Sequence, residues 1–191
     1  MDDQNFYVGG SGAIGWLKGT DFIIPLVKEL MIFNRNIKFI WVGGDENSVE
    51  FKDLKNEITE ADLSDTITLT GSLNEPVHHF RMLDIFVLLS REDSMGMVCL
   101  ENAILNNPVL CFEGSGGAEE LLVDFPDNII PAFDTKLMAQ RIVTLLSDKN
   151  LVDFVGKSLK NRVLKNYTQE ISFPLVKKVI EDHILMPTIS K

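Results

Sequence analysis

Short, continuously apolar runs alternating with longer stretches of helical periodicity are the feature that most limits the folds open to this chain. The runs are Phe6 to Gly9, Ile37 to Gly43, Thr66 to Thr70, Asp84 to Ser90 and Pro108 to Phe112, with a weaker one at Asn128 to Ile130. They are rich in apolar, β-branched and aromatic residues and end in Gly, Ser or Asp, the mark of strands buried on both faces. Between them, helical spacing covers Thr20 to Phe33, Ser48 to Ala61, Glu75 to Leu83 and Gly96 to Asn106. Strand and helix in alternation imply crossover connections, so the expected fold class is α/β with a doubly wound parallel sheet. Past residue 133 only helices are predicted, over Thr135 to Leu146, Leu151 to Asn166 and Gln169 to Ile184. No repeat and no Pro/Gly/Ser-rich linker interrupts the chain, so residues 1–191 read as one domain with extra C-terminal helices.

Composition removes several functions. The 191 residues carry 18 Lys and Arg against 28 Asp and Glu, a net charge of -10. Such a balance disfavours nucleic acid or anionic lipid as a partner through bulk electrostatics, so any anion site must be local. Chains of this length bury roughly 70% of the surface exposed when unfolded, enough for a core without metal or disulfide. Cys99 and Cys111 form no Cys-x-x-Cys pattern and read as buried, reduced thiols. Apolar stretches such as Ile85 to Leu89 fall far short of the roughly 20 residues of a membrane helix. A cytoplasmic location is the expectation, which leaves room for a membrane-associated acceptor.

In an open parallel sheet, ligands bind beyond the carboxyl ends of the strands, and the loops there are rich in Gly, Ser and carboxylates. The first, Gly9 to Asp21, places five glycines, including Gly12, and Lys18 before a helix, a composition suited to a phosphate. Its spacing is neither a dinucleotide fingerprint nor a P-loop, and a plain flexible turn with an exposed lysine is its structural alternative. Thr20 or Asp21 is expected to cap the helix, and Pro25 to bend it or delay its start.

The second loop runs Ser90-Arg91-Glu92-Asp93-Ser94-Met95-Gly96-Met97-Val98-Cys99-Leu100-Glu101. Glu101 is the only charge between Gly96 and Asn106, and apolar residues cover most of that helix. Glu101 is therefore expected to be part-buried and to need donors, for which ribose hydroxyls would serve. Asp93 is either a cap or a ligand, and Arg91 and Glu92 are expected in solvent. One continuous helix would separate Asp93 and Glu101 by about 12 Å, so a loop ending near Gly96 is expected. The N–H groups of Met95, Gly96 and Met97 then lie between the two carboxylates. The third loop, Phe112 to Glu120, and the Thr70-Gly71-Ser72 turn add further backbone at the same end of the sheet. His78, His79 and His183 have no orienting partner in the sequence and read as structural.

Trp16-Leu17-Lys18-Gly19-Thr20-Asp21, Thr70-Gly71, Asp84 to Ser90, Asp93 to Glu101, Pro108-Val109 and Gly116 to Glu120 together resemble the C-terminal half of a family 4 glycosyltransferase of the GT-B fold. The resemblance covers residues 5 to 185 and implies a Rossmann-like domain that binds a nucleotide-diphosphate sugar. It implies transfer of a hexose-type sugar with retention, without metal or other cofactor, to an acceptor held by a separate N-terminal domain that lies outside these residues. An isolated donor domain is then expected to be nearly inactive. By the same resemblance Lys18 neutralises the diphosphate, Glu101 accepts from the ribose hydroxyls and Asp93 holds a sugar hydroxyl. The backbones of Gly12, Gly71, Gly96, Met97 and Val98 line the donor, and Asp93 and Lys18 carry the catalytic roles. Asp93 stands where the family most often has Glu. Ala13 and Leu17 occupy the positions of a second basic residue, leaving Lys18 alone or helped by Arg91. A sugar-nucleotide epimerase half and a receiver-like regulatory domain are the alternatives, although a receiver needs an acidic cluster that the Gly9 to Gly15 loop lacks.

Overall fold

The computed structural model describes residues 5–33 and 36–184. Six strands form one sheet: β1 (Phe6–Ser11), β2 (Ile37–Val42), β3 (Ile67–Leu69), β4 (Ile85–Leu88), β5 (Val109–Phe112) and β6 (Ile129–Ile130). Their order is β3-β2-β1-β4-β5-β6, and every pair is parallel. All residues of β4 and β5 are buried, as strands covered on both faces must be. The sheet reverses direction of growth between β1 and β4, which opens a crevice at their carboxyl ends.

The helices are α1 (Ile23–Phe33), α2 (Val49–Glu60), α3 (Val77–Phe80), α4 (Met97–Ile104), α5 (Ala118–Leu121), α6 (Thr135–Leu146), α7 (Lys149–Asn166) and α8 (Gln169–Ile184). α1 packs on α6, and α4 packs on α7. Apolar side chains of the strands and of α1, α2, α4, α6 and α7 merge into one buried cluster.

Several boundaries move from their expected places for local reasons. α1 starts at Ile23 after a 3-10 turn over Thr20–Phe22, so Pro25 falls in the first turn, where its missing N–H costs no hydrogen bond. Only one helical turn forms behind Pro76, in place of the longer segment from Glu75 to Leu83. β1 continues through Gly9 and Gly10 to Ser11. Neither glycine belongs to the loop: a Cβ on Gly9 would stand 2.5 Å from the Ile40 carbonyl oxygen, and one on Gly10 would stand 2.6 Å from the Trp41 ring. These glycines serve sheet packing, and the loop proper begins at Gly12.

Candidate functional site

Lys18 and Asp93, 75 residues apart in the chain, meet at the crevice between β1 and β4. The Lys18 Nζ donates to Asp93 Oδ2 at 2.6 Å, with the lysine side chain 33% exposed and the aspartate 14%. The other oxygen, Asp93 Oδ1, accepts from the Gly96 N–H at 2.8 Å. Asp93 thus acts as a loop cap and an ion-pair partner at once. Burial works to raise its pKa, but the Lys18 hydrogen bond, the Gly96 N–H and the Lys18 charge outweigh it, and the net direction is downward.

Gly12 lies under the lysine, where a Cβ would be 3.4 Å from Lys18 Cδ. Its N–H bonds to the Val42 carbonyl, its carbonyl accepts from the Trp41 indole, and Gly43 crowds against it. Gly43 in turn bridges to Gly71, two strands from the crevice. Gly12, Gly43 and Gly71 therefore form a run of backbone along the carboxyl ends of β1, β2 and β3. Lys18, Asp93, Gly12 and Gly96 are brought together, while Gly71 joins them through Gly43.

Gly96 caps α4 in the left-handed conformation, φ 59°, and the chain enters the helix at Met97. The loop expected before Gly96 is present. Helix geometry leaves the Met97 and Val98 N–H groups of the first turn without intrahelical acceptors, directly after the Gly96 N–H that the Asp93 carboxylate accepts. The third loop braces this one: Asp93 donates its N–H to the Ser115 carbonyl at 2.7 Å, and any Cβ on Gly116 would collide with the Asp93 carbonyl oxygen.

The expected part-burial of Glu101 is wrong. Its side chain is exposed. α4 buries Cys99, Leu100, Asn102 and Ala103, and at 100° per residue that arc lies opposite Glu101, which shares its face with the exposed Met97. The polar residue taken into the core is Asn102, satisfied by donating to the Val98 carbonyl at 2.9 Å and accepting from Asn107 at 2.9 Å. Met97, Val98, Ile104 and Leu105 suggest burial all round, but none of the four is fully buried.

Arg91 also departs from expectation. Its side chain is 14% exposed, forks onto Asp21 through two bonds of 2.8 and 2.7 Å, and lies 4.5 Å from the Trp16 ring centre and 4.4 Å from that of Phe22. Asp21 therefore serves Arg91 instead of a helix cap, and Thr20 Oγ1 accepts the Gly15 N–H. Glu92 is exposed.

The remaining candidates do not converge on the crevice. His78 lies against Glu75 at 3.1 Å on the surface, and His183 Nδ1 lies 2.9 Å from the Val179 carbonyl oxygen. Burial pushes the Cys99 thiol well up and the Cys111 thiol to about 11, so both stay protonated at neutral pH. Among the described residues no three His, Cys, Asp or Glu side chains gather as a metal site, and no helix is long and apolar enough to cross a membrane.

Residues 2–162 match the model of the family described as glycosyl transferases group 1. The chain belongs to this family. Membership favours the transferase class over the epimerase and receiver-like alternatives. The capsular polysaccharide biosynthesis glycosyltransferase CapM of Staphylococcus aureus is 23% identical over 174 residues, which is 88% of this chain and 44% of that protein. The fold is that of HepE from Anabaena, solved with UDP and glucose: TM-score 0.79, 20% identity, 92% of this chain and 48% of that one. The C-terminal domain of a group 1 glycosyl transferase from Francisella tularensis, LpcC, also superposes, with TM-score 0.75 and 22% identity over 87% of this chain and 88% of that one. The chain spans about half the length of the curated relatives it matches.

Proposed function

We propose that this chain is the donor-binding domain of a retaining, metal-independent glycosyltransferase that uses a nucleotide-diphosphate hexose. The observation that carries the reading is the Lys18–Asp93 pair at the point where the sheet reverses, with the α4 N-terminus beside it. Burial of Glu101 is not among its supports. When the bond between the anomeric carbon and the diphosphate oxygen breaks, the leaving group gains negative charge. A lysine already fixed beside it stabilises that charge without reorganisation. The Met97 and Val98 N–H groups add donors of the same sign, and Gly12, Gly96 and Gly71 offer backbone that a donor can approach closely.

In this reading Asp93 exchanges part of its bond with Lys18 for a hydroxyl of the transferred sugar. Glu101, exposed on the second turn of α4, keeps its oxygens available for ribose hydroxyls. The relative HepE was solved with UDP and glucose, which favours a uridine donor as the first to try. The acceptor belongs to a separate N-terminal domain, so the single domain alone transfers little or nothing. A cytoplasmic place in glycan biosynthesis, with an acceptor that a membrane can carry, fits this assignment.

Titration of the labelled chain with UDP, GDP and their sugars, followed by NMR, tests the reading. Shifts at Gly12, Lys18, Asp93, Gly96 and Met97 are expected, and an absence of shifts at millimolar ligand overturns it. Glu101→Gln is expected to weaken nucleotide binding with the fold intact. Unchanged affinity removes Glu101 from the site.

A further inference from the structure

We propose that Arg91 is a positioning residue: it straps the turn that carries Lys18 onto the β4–α4 loop and does not itself neutralise the donor. The inference rests on the donor-site reading given above. The turn Trp16–Lys18 contributes no buried residue to the core, and its Trp16 and Leu17 side chains are 69% and 50% exposed. Nothing apolar beneath it therefore fixes where Lys18 points, so polar and backbone contacts must.

Those contacts converge on residues 89 to 93. Gly19, at φ 68°, lies so close to the Leu89 carbonyl that a Cβ there would collide with it. The Arg91 N–H donates to the Leu17 carbonyl at 2.9 Å. The Arg91 guanidinium donates to the Trp16 carbonyl and forks onto Asp21, while its plane lies near the rings of Trp16, Phe22 and Phe133, at 4.5, 4.4 and 5.4 Å. Nη1 is shared between the Trp16 carbonyl and Asp21, Nη2 is bound to Asp21, and the Asp21 carboxylate balances the charge. Three of its five N–H donors are spent in these bonds and its charge is matched by Asp21, so its pull on a phosphate is weakened. A lysine cannot replace it, because an ammonium makes neither the fork nor the ring stacking.

Two variants separate this role from direct phosphate binding. Arg91→Lys keeps the charge and loses the fork. Asp21→Asn frees the guanidinium, so a phosphate-binding arginine would then bind more tightly. A strap would instead be loosened. Calorimetry with UDP, GDP and ADP should show both variants weakened by about tenfold, the scale of one charge-assisted hydrogen bond. Circular dichroism and urea midpoints confirm that both are folded.

A second readout needs no nucleotide. The carbon-13 titration of the Asp93 carboxyl reports whether Lys18 still sits on it. Removing the negative charge of Asp21 should by electrostatics alone lower the Asp93 midpoint, whereas a displaced Lys18 raises it. A rise in both variants supports the strap. Asp21→Asn binding nucleotide more tightly, or an unmoved Asp93 midpoint in folded Arg91→Lys, overturns it. If the wild-type chain binds no nucleotide, the donor-site reading fails, and the Asp93 titration still decides the role of Arg91.

Discussion

Asp93 and Asp84 are both part-buried, yet their environments push them in opposite directions. Burial works against the ionised Asp93, but Lys18 and the Gly96 N–H outweigh it and hold the carboxyl below its ordinary value. Asp84 is raised by burial, which its bond from the Tyr7 N–H at 2.8 Å only partly offsets. A depressed carboxyl stabilises the fold above its unfolded pKa, and that contribution fades as pH falls through the folded value. A raised one does the reverse, favouring the fold at low pH and losing that advantage as pH climbs through the raised value. Asp93→Asn should therefore cost about 1–3 kcal/mol at pH 7, the scale of a charge-assisted hydrogen bond, and less at pH 3. For Asp84→Asn, stability relative to wild type should improve between pH 3 and pH 7. Urea denaturation of the three proteins at both pH values measures the two slopes, and equal slopes would show that the pair energetics are misassigned. That Lys18 and Asp93 share one end of the sheet is legible in the sequence because each sits in a loop at a strand's carboxyl end. Their ion pair is not, because it depends on how two loops 75 residues apart fold onto each other. The exposure of Glu101 is not, because composition does not say which arc of a short helix turns inward: Asn102, amide-paired, goes in while the carboxylate stays out.

At the scale of elements, hydrophobic period locates strands and helices well, and sterics specific to the packed fold decide the rest. β1 runs past its expected end because Gly9 and Gly10, poor strand formers in general, are what the neighbouring Ile40 carbonyl and Trp41 ring leave room for. A similar constraint governs Gly156 within α7, where propensity alone favours alanine by about 1 kcal/mol. Any Cβ at 156 would collide with the carbonyl oxygen of Asn106, just past the end of α4. Backbone on one side and a packed helix on the other cannot both yield cheaply. Gly156→Ala should therefore destabilise by about 1–3 kcal/mol, overpacking outweighing the helix gain. The urea midpoint checks the sign. A stabilised variant would mean that α7 can slide away from α4 without cost, and that the two helices are less tightly joined than their contact implies.

Across the whole molecule, the periodicity specifies a parallel, doubly wound sheet but not the order of its strands, because burial on both faces carries no information about which strand lies alongside. Nor does it distinguish α8 from the other C-terminal helices, although the structure does. α6 and α7 each bury four residues, whereas Gln169 to His183 of α8 include no buried residue. Phe173, Leu175, Val176, Val179 and Ile180 of α8 are exposed by 50–63%. An isolated helix of this length is marginal in water, and tertiary packing normally supplies the remainder. Little of that packing reaches α8 here, so its stability must sit far below that of the sheet. Replacing Val176 and Ile180 together by Asp should change the stability of the chain by no more than about 0.5 kcal/mol, as expected for surface positions. The amides of α8 should exchange with solvent long before those of β4 and β5, whose residues are all buried. Hydrogen exchange followed residue by residue, with urea midpoints for the double variant, tests the two statements together. Protection of α8 equal to that of β4 would require a packing surface for it within this chain, and the double substitution would then lower the urea midpoint.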